Sequence, residues 1–164
     1  MLQSYALYTQ QVIVISKRHN IYGIIFMVKI NKQAKIDHLH SFIEFVTSNA
    51  IKCGLSQKRI TEIELATEEA VINIINYAYE DITGDIEITC KRDNDKHFII
   101  EIVDEGKHFD VLSKKEPDLT SDIDKRAIGG LGVFFMKQFM DDIKYRREDD
   151  KNILTLVVQQ DRYP

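Results

Sequence analysis

Apolar residues recur along this chain with two periods, and the switches between them mark out its elements. Phe26 to Asn31 reads as a first strand. From Asp37 to about Cys53 the spacing becomes helical, with Leu39, Phe42, Ile43, Phe45, Val46 and Ala50 as apolar positions. Cys53-Gly54 stops that helix, because glycine is the usual residue just past a helix end. Ser56 is a suitable N-cap for a second, longer helix from Gln57 to about Glu80. Its Ile60, Ile63, Ala70, Val71, Ile74 and Ala78 share one face, patterned for burial against a sheet.

The period returns to two over Asp85 to Arg92, where Ile86, Ile88 and Cys90 alternate with polar residues. Asp93-Asn94-Asp95-Lys96 has turn composition, and His97 to Val103 supplies the second strand of a hairpin. After Asp104 comes a long stretch of mixed charge containing Pro117; such a segment inside a compact domain is usually functional. A helix from Leu131 to about Met140 follows, then strands at Ile143 to Arg147 and Asn152 to Gln159. The pattern predicts an α+β fold of two layers, a mixed and mostly antiparallel sheet covered on one face by helices.

Composition narrows the function classes. At 164 residues the chain suits one domain able to bury a core without metal or disulfide staples. A net charge of -4 gives no general attraction for nucleic acid or anionic lipid, so neither is expected as a direct partner. Cys53 and Cys90 have no paired metal spacing and suit a reduced, cytoplasmic compartment. The histidines form no ligand cluster, and His38 and His40 are placed at a helix start on the surface. Val12 to Ile15 and Ile21 to Val28 are apolar, but Lys17-Arg18-His19-Asn20 separates them and neither run could span a bilayer. No leader-like pattern precedes them. Residues 1–26 read either as an extra edge strand or as an extension ahead of a single domain over 27–164.

Three segments carry candidate chemistry. On the second helix Glu62, Glu69, Asn73, Asn76 and Glu80 form a narrow polar stripe, read as lying opposite the apolar face. Asparagine is a poor interior helix residue, so two on one stripe call for a reason beyond solvation. The Asn73 amide oxygen is a hard ligand suited to Mg²⁺, and Glu69, one turn earlier, could accept a proton from an attacking hydroxyl. Asp104 ends a strand, where an acceptor-only carboxylate matches the exocyclic amine of adenine, and Gly106 lets backbone come close to the ring. Gly129-Gly130-Leu131-Gly132 opens a helix whose exposed N–H groups suit phosphate. Four of the seven glycines fall between Gly106 and Gly132. No Gly-Lys-Ser or Gly-Lys-Thr follows, and no βαβ unit surrounds the cluster, so it is neither a Walker loop nor a dinucleotide fingerprint.

Together, Glu69-x-x-x-Asn73, Asp104-x-Gly106 and Gly129-Gly130-x-Gly132 resemble the N, G1 and G2 boxes of the GHKL, or Bergerat-fold, ATPases. The small size, the Glu69-Ala70-Val71-x-Asn73 phrasing with Tyr79 following, and Met136-Lys137-x-x-Met140-Asp141 resemble most closely the anti-sigma-factor serine kinases. The resemblance covers about Met27 to Gln159. It implies a histidine-kinase-like α/β sandwich with ATP between the long helix and a mobile lid over about Asp110 to Ile128. It implies Glu69 as general base for a protein serine, Asn73 as Mg²⁺ ligand and Asp104 as the adenine contact. The glycine box would wrap the phosphates, and Lys125 and Arg126 are either γ-phosphate partners or surface residues. Three positions depart from the pattern: His108 where a second glycine is common, Tyr77 where a histidine is common, and Val111 where proline is common.

The function this implies is a regulatory serine/threonine kinase. It would use ATP and Mg²⁺ to phosphorylate an anti-sigma antagonist protein of the STAS type, and would hold a sigma factor when unphosphorylated antagonist is absent. Homodimers are common in that group, though no interface signature is legible here. Histidine-kinase, gyrase and chaperone readings would need further domains. A nucleotide-gated binding module without phosphotransfer needs the same pocket.

Overall fold

In a computed structural model, residues 10–18, 21–79, 83–93, 95–113 and 131–160 are described. Six strands make one sheet in the order β1-β2-β3-β4-β6-β5. They are β1 (Gln10–Arg18), β2 (Ile21–Gln33), β3 (Asp85–Arg92), β4 (His97–Asp104), β5 (Asp142–Glu148) and β6 (Lys151–Gln159). Every pairing among them is antiparallel, so the mixed character expected from sequence is not present in the described sheet. The first strand of the core sheet, β2, starts earlier than its alternation suggested, because Ile21 to Phe26 pairs with β1.

Three helices, α1 (Leu39–Lys52), α2 (Gln57–Tyr77) and α3 (Leu131–Phe139), cover one face of this sheet. The first begins with a single tight turn at Ile36–His38 rather than at Asp37. It ends where the sequence predicts, with Gly54 at φ 78°, a conformation that an L side chain would strain. The Ser56 hydroxyl accepts the Arg59 N–H at 3.4 Å and caps α2.

Register aligns the inward positions into rows. Val28, Cys90, Ile100 and Leu156 stand side by side across β2, β3, β4 and β6, as do Ile30, Ile88, Ile102 and Leu154. All eight are buried, and Phe42, Val46, Ile63, Ala66 and Val71 of α1 and α2 close over them. Burial pushes the thiols of Cys53 and Cys90 up, which leaves them as inert core groups.

The next row is polar. Ile86, Asp104 and Asn152 are paired across β3, β4 and β6, with Arg147 of β5 opposite Asn152. Here the core gives way to a cleft.

α3 runs antiparallel to α2 and is fastened at its far end by Arg59. One Arg59 nitrogen donates to Glu62 Oε2 at 2.7 Å and to the Phe139 carbonyl at 2.8 Å, while the other pairs with Asp141. The arginine is largely buried and caps the end of α3, where free carbonyls favour a cation.

Candidate nucleotide-binding site

The site is built where α2 crosses the polar row. α1 flanks α2 on one side and α3 on the other, so both flanks of α2 are partly covered. The polar stripe predicted opposite the core therefore lies along the flank that meets α3, and its members diverge. Glu62 is held by Arg59, and Asn76 is exposed. Glu69 and Asn73 are half-buried, and Glu80 lies outside the described residues.

Glu69 meets the start of α3. A Cβ built on Gly132 would fall 2.0 Å from its Oε2 and 2.5 Å from its carboxyl carbon. Only glycine lets the helix backbone come that close to the carboxylate. Burial, followed by repulsion from Glu68, holds the Glu69 carboxyl above the usual carboxylate range.

Asn73, one turn further on, faces a different space. With Ala70, Ile74 and Ala78 it forms the helical wall of a small cleft, about 30 Å³ in volume. Ile102 and Asp104 of β4 and Asn152 and Leu154 of β6 form the floor, and Phe109 and Tyr145 close the side. Among the described residues nothing hydrogen-bonds to the Asn73 amide, so its carbonyl oxygen is available to a ligand. The volume admits water but not a purine, so the cleft must widen to take a base. Phe109 stacks on Tyr77 at the mouth, with ring centroids 6.2 Å apart.

Asp104 is the last inward residue of β4, after Phe98, Ile100 and Ile102. Its side chain is buried with 5 % exposure. Oδ1 accepts the Gly106 N–H at 2.8 Å and the Asn152 amide at 2.9 Å, and no described residue bonds to Oδ2. Burial pushes this carboxyl up; the Asn152 and Gly106 donors and nearby Arg147 oppose that shift.

Gly106 packs on the end of α2, where a Cβ would meet the Ala78 carbonyl oxygen at 2.5 Å. Sequence had extended α2 to about Glu80. Instead it ends at Tyr77, and the Ala78 carbonyl accepts the Lys107 N–H at 2.9 Å. Gly106 thus serves an approach of backbone to helix, in addition to any approach to a ring of the kind its motif suggested. Tyr79 fastens the same corner, its hydroxyl donating to the Asp85 carbonyl and accepting the Glu105 N–H.

His108, the departure from the glycine pattern, is not among the residues that line the cleft. Its ring is exposed and lies against that of Tyr145, centroids 5.9 Å apart, away from the cleft lining. Lys125, Arg126, Gly129 and Gly130 lie outside the described residues, as does the predicted lid beyond Ser113. The Leu131 backbone begins α3.

Sequence reading missed three contributors. Asn152, Tyr145 and Arg147 were placed on strands with no role, yet they form one network with Asp104 that is buried at Asp104 and Asn152 and reaches solvent at Arg147. The available signal was Asn152 itself, since asparagine is depleted in strands and this one occupies an inward position.

A sheet backed by helices on one face, with a carboxylate at a strand end and an acid–amide pair on the helix above, can be compared with known proteins. Residues 33–158 match the histidine kinase-like ATPase domain family. The chain belongs to that family. Its relatives include the serine-protein kinase RsbW of Listeria monocytogenes, 27% identical over 110 residues, which span 64% of this chain and 69% of the relative. The anti-sigma F factor of Clostridium acetobutylicum is 35% identical over 107 residues, 65% of this chain and 73% of the relative. Among solved structures, a Mycobacterium tuberculosis protein comprising RsbU and RsbW domains superposes with a TM-score of 0.58 at 14% identity. That match covers 82% of this chain and 33% of the other, and it shows the shared fold. Within the family, the chain groups with the serine-protein kinases and anti-sigma factors that sequence motifs had suggested. Among the described residues no helix is long and apolar enough to cross a membrane.

Proposed function

We propose that this chain is an ATP-dependent serine/threonine protein kinase that acts as an anti-sigma regulator. The observation that carries this reading is the placement of Glu69 and Asn73. They stand one helical turn apart on α2, one against the glycine start of α3 and the other lining the Asp104 cleft.

Adenine would lie in the widened cleft with its exocyclic amine on Asp104 Oδ2. The triphosphate would then run towards the start of α3, where helix N–H groups favour negative charge. The unbonded amide oxygen of Asn73 suits a Mg²⁺ ion, whose positive charge, when bound, offsets charge on the phosphate oxygens. Glu69 is set to take the proton of a serine or threonine hydroxyl. The hydroxyl oxygen forms a bond to the γ-phosphorus as the bond to the β-bridging oxygen breaks, leaving ADP. A carboxyl held above its usual range is a stronger base when ionised, which suits that task. Lys125 and Arg126 remain candidate γ-phosphate partners.

The expected substrate is a small STAS-type anti-sigma antagonist and the expected regulatory partner is a sigma factor, in a cytoplasmic setting. Names of relatives support this reading, with a serine-protein kinase and an anti-sigma factor among them. Incubation with γ-labelled ATP, Mg²⁺ and a purified antagonist of this type should transfer label to a serine or threonine. ATP binding with no transfer to any such antagonist would instead favour a nucleotide-gated binding module. One observation supports that second reading: a base can enter only if the cleft widens, which moves the segment around Phe109.

A further inference from the structure

Asn152 is 4 % exposed and its side chain takes part in five hydrogen bonds. Its Oδ1 accepts from the Tyr145 hydroxyl at 2.8 Å and from Arg147 Nη1 at 2.9 Å. Its Nδ2 donates to Asp104 Oδ1 and the Lys107 carbonyl, both at 2.9 Å, and more weakly to the Gly106 carbonyl.

Chemistry fixes which end of this amide is which. A guanidinium only donates, so the atom facing Arg147 must be oxygen. Tyr145 reinforces the choice, since its hydroxyl donates to that same oxygen. The amide nitrogen must therefore face Asp104. A flipped amide would set oxygen against carboxylate and nitrogen against guanidinium.

From this we infer that Asn152 is a positioning residue that makes nucleotide recognition depend on an exocyclic amine. Its fixed amide donates to Asp104 Oδ1 and leaves Oδ2, to which no described residue bonds, as the acceptor that Asp104 offers the cleft it lines. The inference rests on the adenine role proposed above for Asp104. Without Asn152 the Gly106 N–H alone remains on Oδ1, and a buried carboxyl that has lost a donor tends further to the protonated form or turns its free oxygen away. Either change removes the match to an amine. Arg147 acts through Asn152 in this scheme, and Tyr145 ties the same amide to the segment that leads away from the cleft.

Binding of two nucleotides to the full chain tests this. ATP and purine riboside triphosphate differ by the 6-amino group, and each is titrated with Mg²⁺ by calorimetry. The wild type should prefer ATP by about tenfold or more, the usual size of a hydrogen bond to a charged group. Asn152→Asp should shrink that preference to about threefold or less. Arg147→Met keeps Asn152 in place but removes one of the two donors that hold its Oδ1, loosening the amide against Asp104, and should also shrink the preference. It decides the matter if Asn152→Asp does not fold. A preference unchanged in the folded variants overturns the inference while leaving ATP binding standing. A wild type that binds neither nucleotide overturns the ATP reading itself. Equal binding of both by the wild type removes the adenine role of Asp104, and this inference with it.

Discussion

Gly132 is packed so closely on Glu69 that a methyl group in place of its hydrogen would fall 2.0 Å from the carboxylate oxygen. The glycine motif at the start of α3 thus does more than offer N–H groups to an anion. It sets the distance between that helix end and the carboxylate proposed as base.

Gly132→Ala should therefore act on Glu69 before it acts on the fold. Glu69 can swing away, since the clash is with its side chain, and alanine is favoured over glycine in a helix by up to about 1 kcal/mol. The expected result is a melting temperature within a few degrees of wild type and phosphotransfer reduced by about tenfold or more. Thermal denaturation and a γ-label assay check the two halves.

Glu69→Gln removes the proton acceptor with little change in shape. ATP affinity should persist while transfer falls by about 10²–10⁴-fold, the range typical of general base catalysis. The pH profile adds a second reading. Because Glu69 must be ionised and its carboxyl sits above the usual range, wild-type activity should decline on acidification at a pH above that expected of an ordinary carboxylate. That acid limb should vanish in the variant. Unchanged transfer would rule out Glu69 as base.

Asp104→Asn separates function from stability. Burial raises the folded-state carboxyl above its unfolded value, so the folded chain holds this proton more tightly. Its contribution to stability is present below the unfolded pKa and is lost as pH rises through the folded pKa. Near pH 7.5 the ionised group is a cost, and the neutral amide should leave the melting temperature equal or slightly higher. ATP affinity should fall by about tenfold or more. Calorimetry and thermal denaturation on the same preparation test both; equal affinity would refute the adenine role.

Arg59→Met should destabilise without touching the cleft. It leaves Glu62, Asp141 and the Phe139 carbonyl without their shared donor. Loss of one partner from a largely buried charge cluster costs about 2–4 kcal/mol. A chemical denaturation midpoint unmoved by the change would show that the α2–α3 clamp carries no such energy.

The sequence by itself determined the elements and singled out candidate chemistry-bearing residues. Period-two alternation located β3, an apolar run after a turn located β4, and Ser56 and Gly54 set helix ends, because these signals depend on local backbone preference. Glu69 before Asn73 was legible as a one-turn spacing for the same reason. Tertiary structure decided the rest. It set α2 between α1 and α3, turning a stripe read as lying opposite the apolar face into a flank against α3, since burial depends on neighbours that no local pattern names. It also aligned Asp104 with Asn152 and Arg147, residues 43 to 48 positions apart in sequence, through strand register. Register is a pairing between distant segments, so the network that orients Asp104 existed on the page only once the strands were joined.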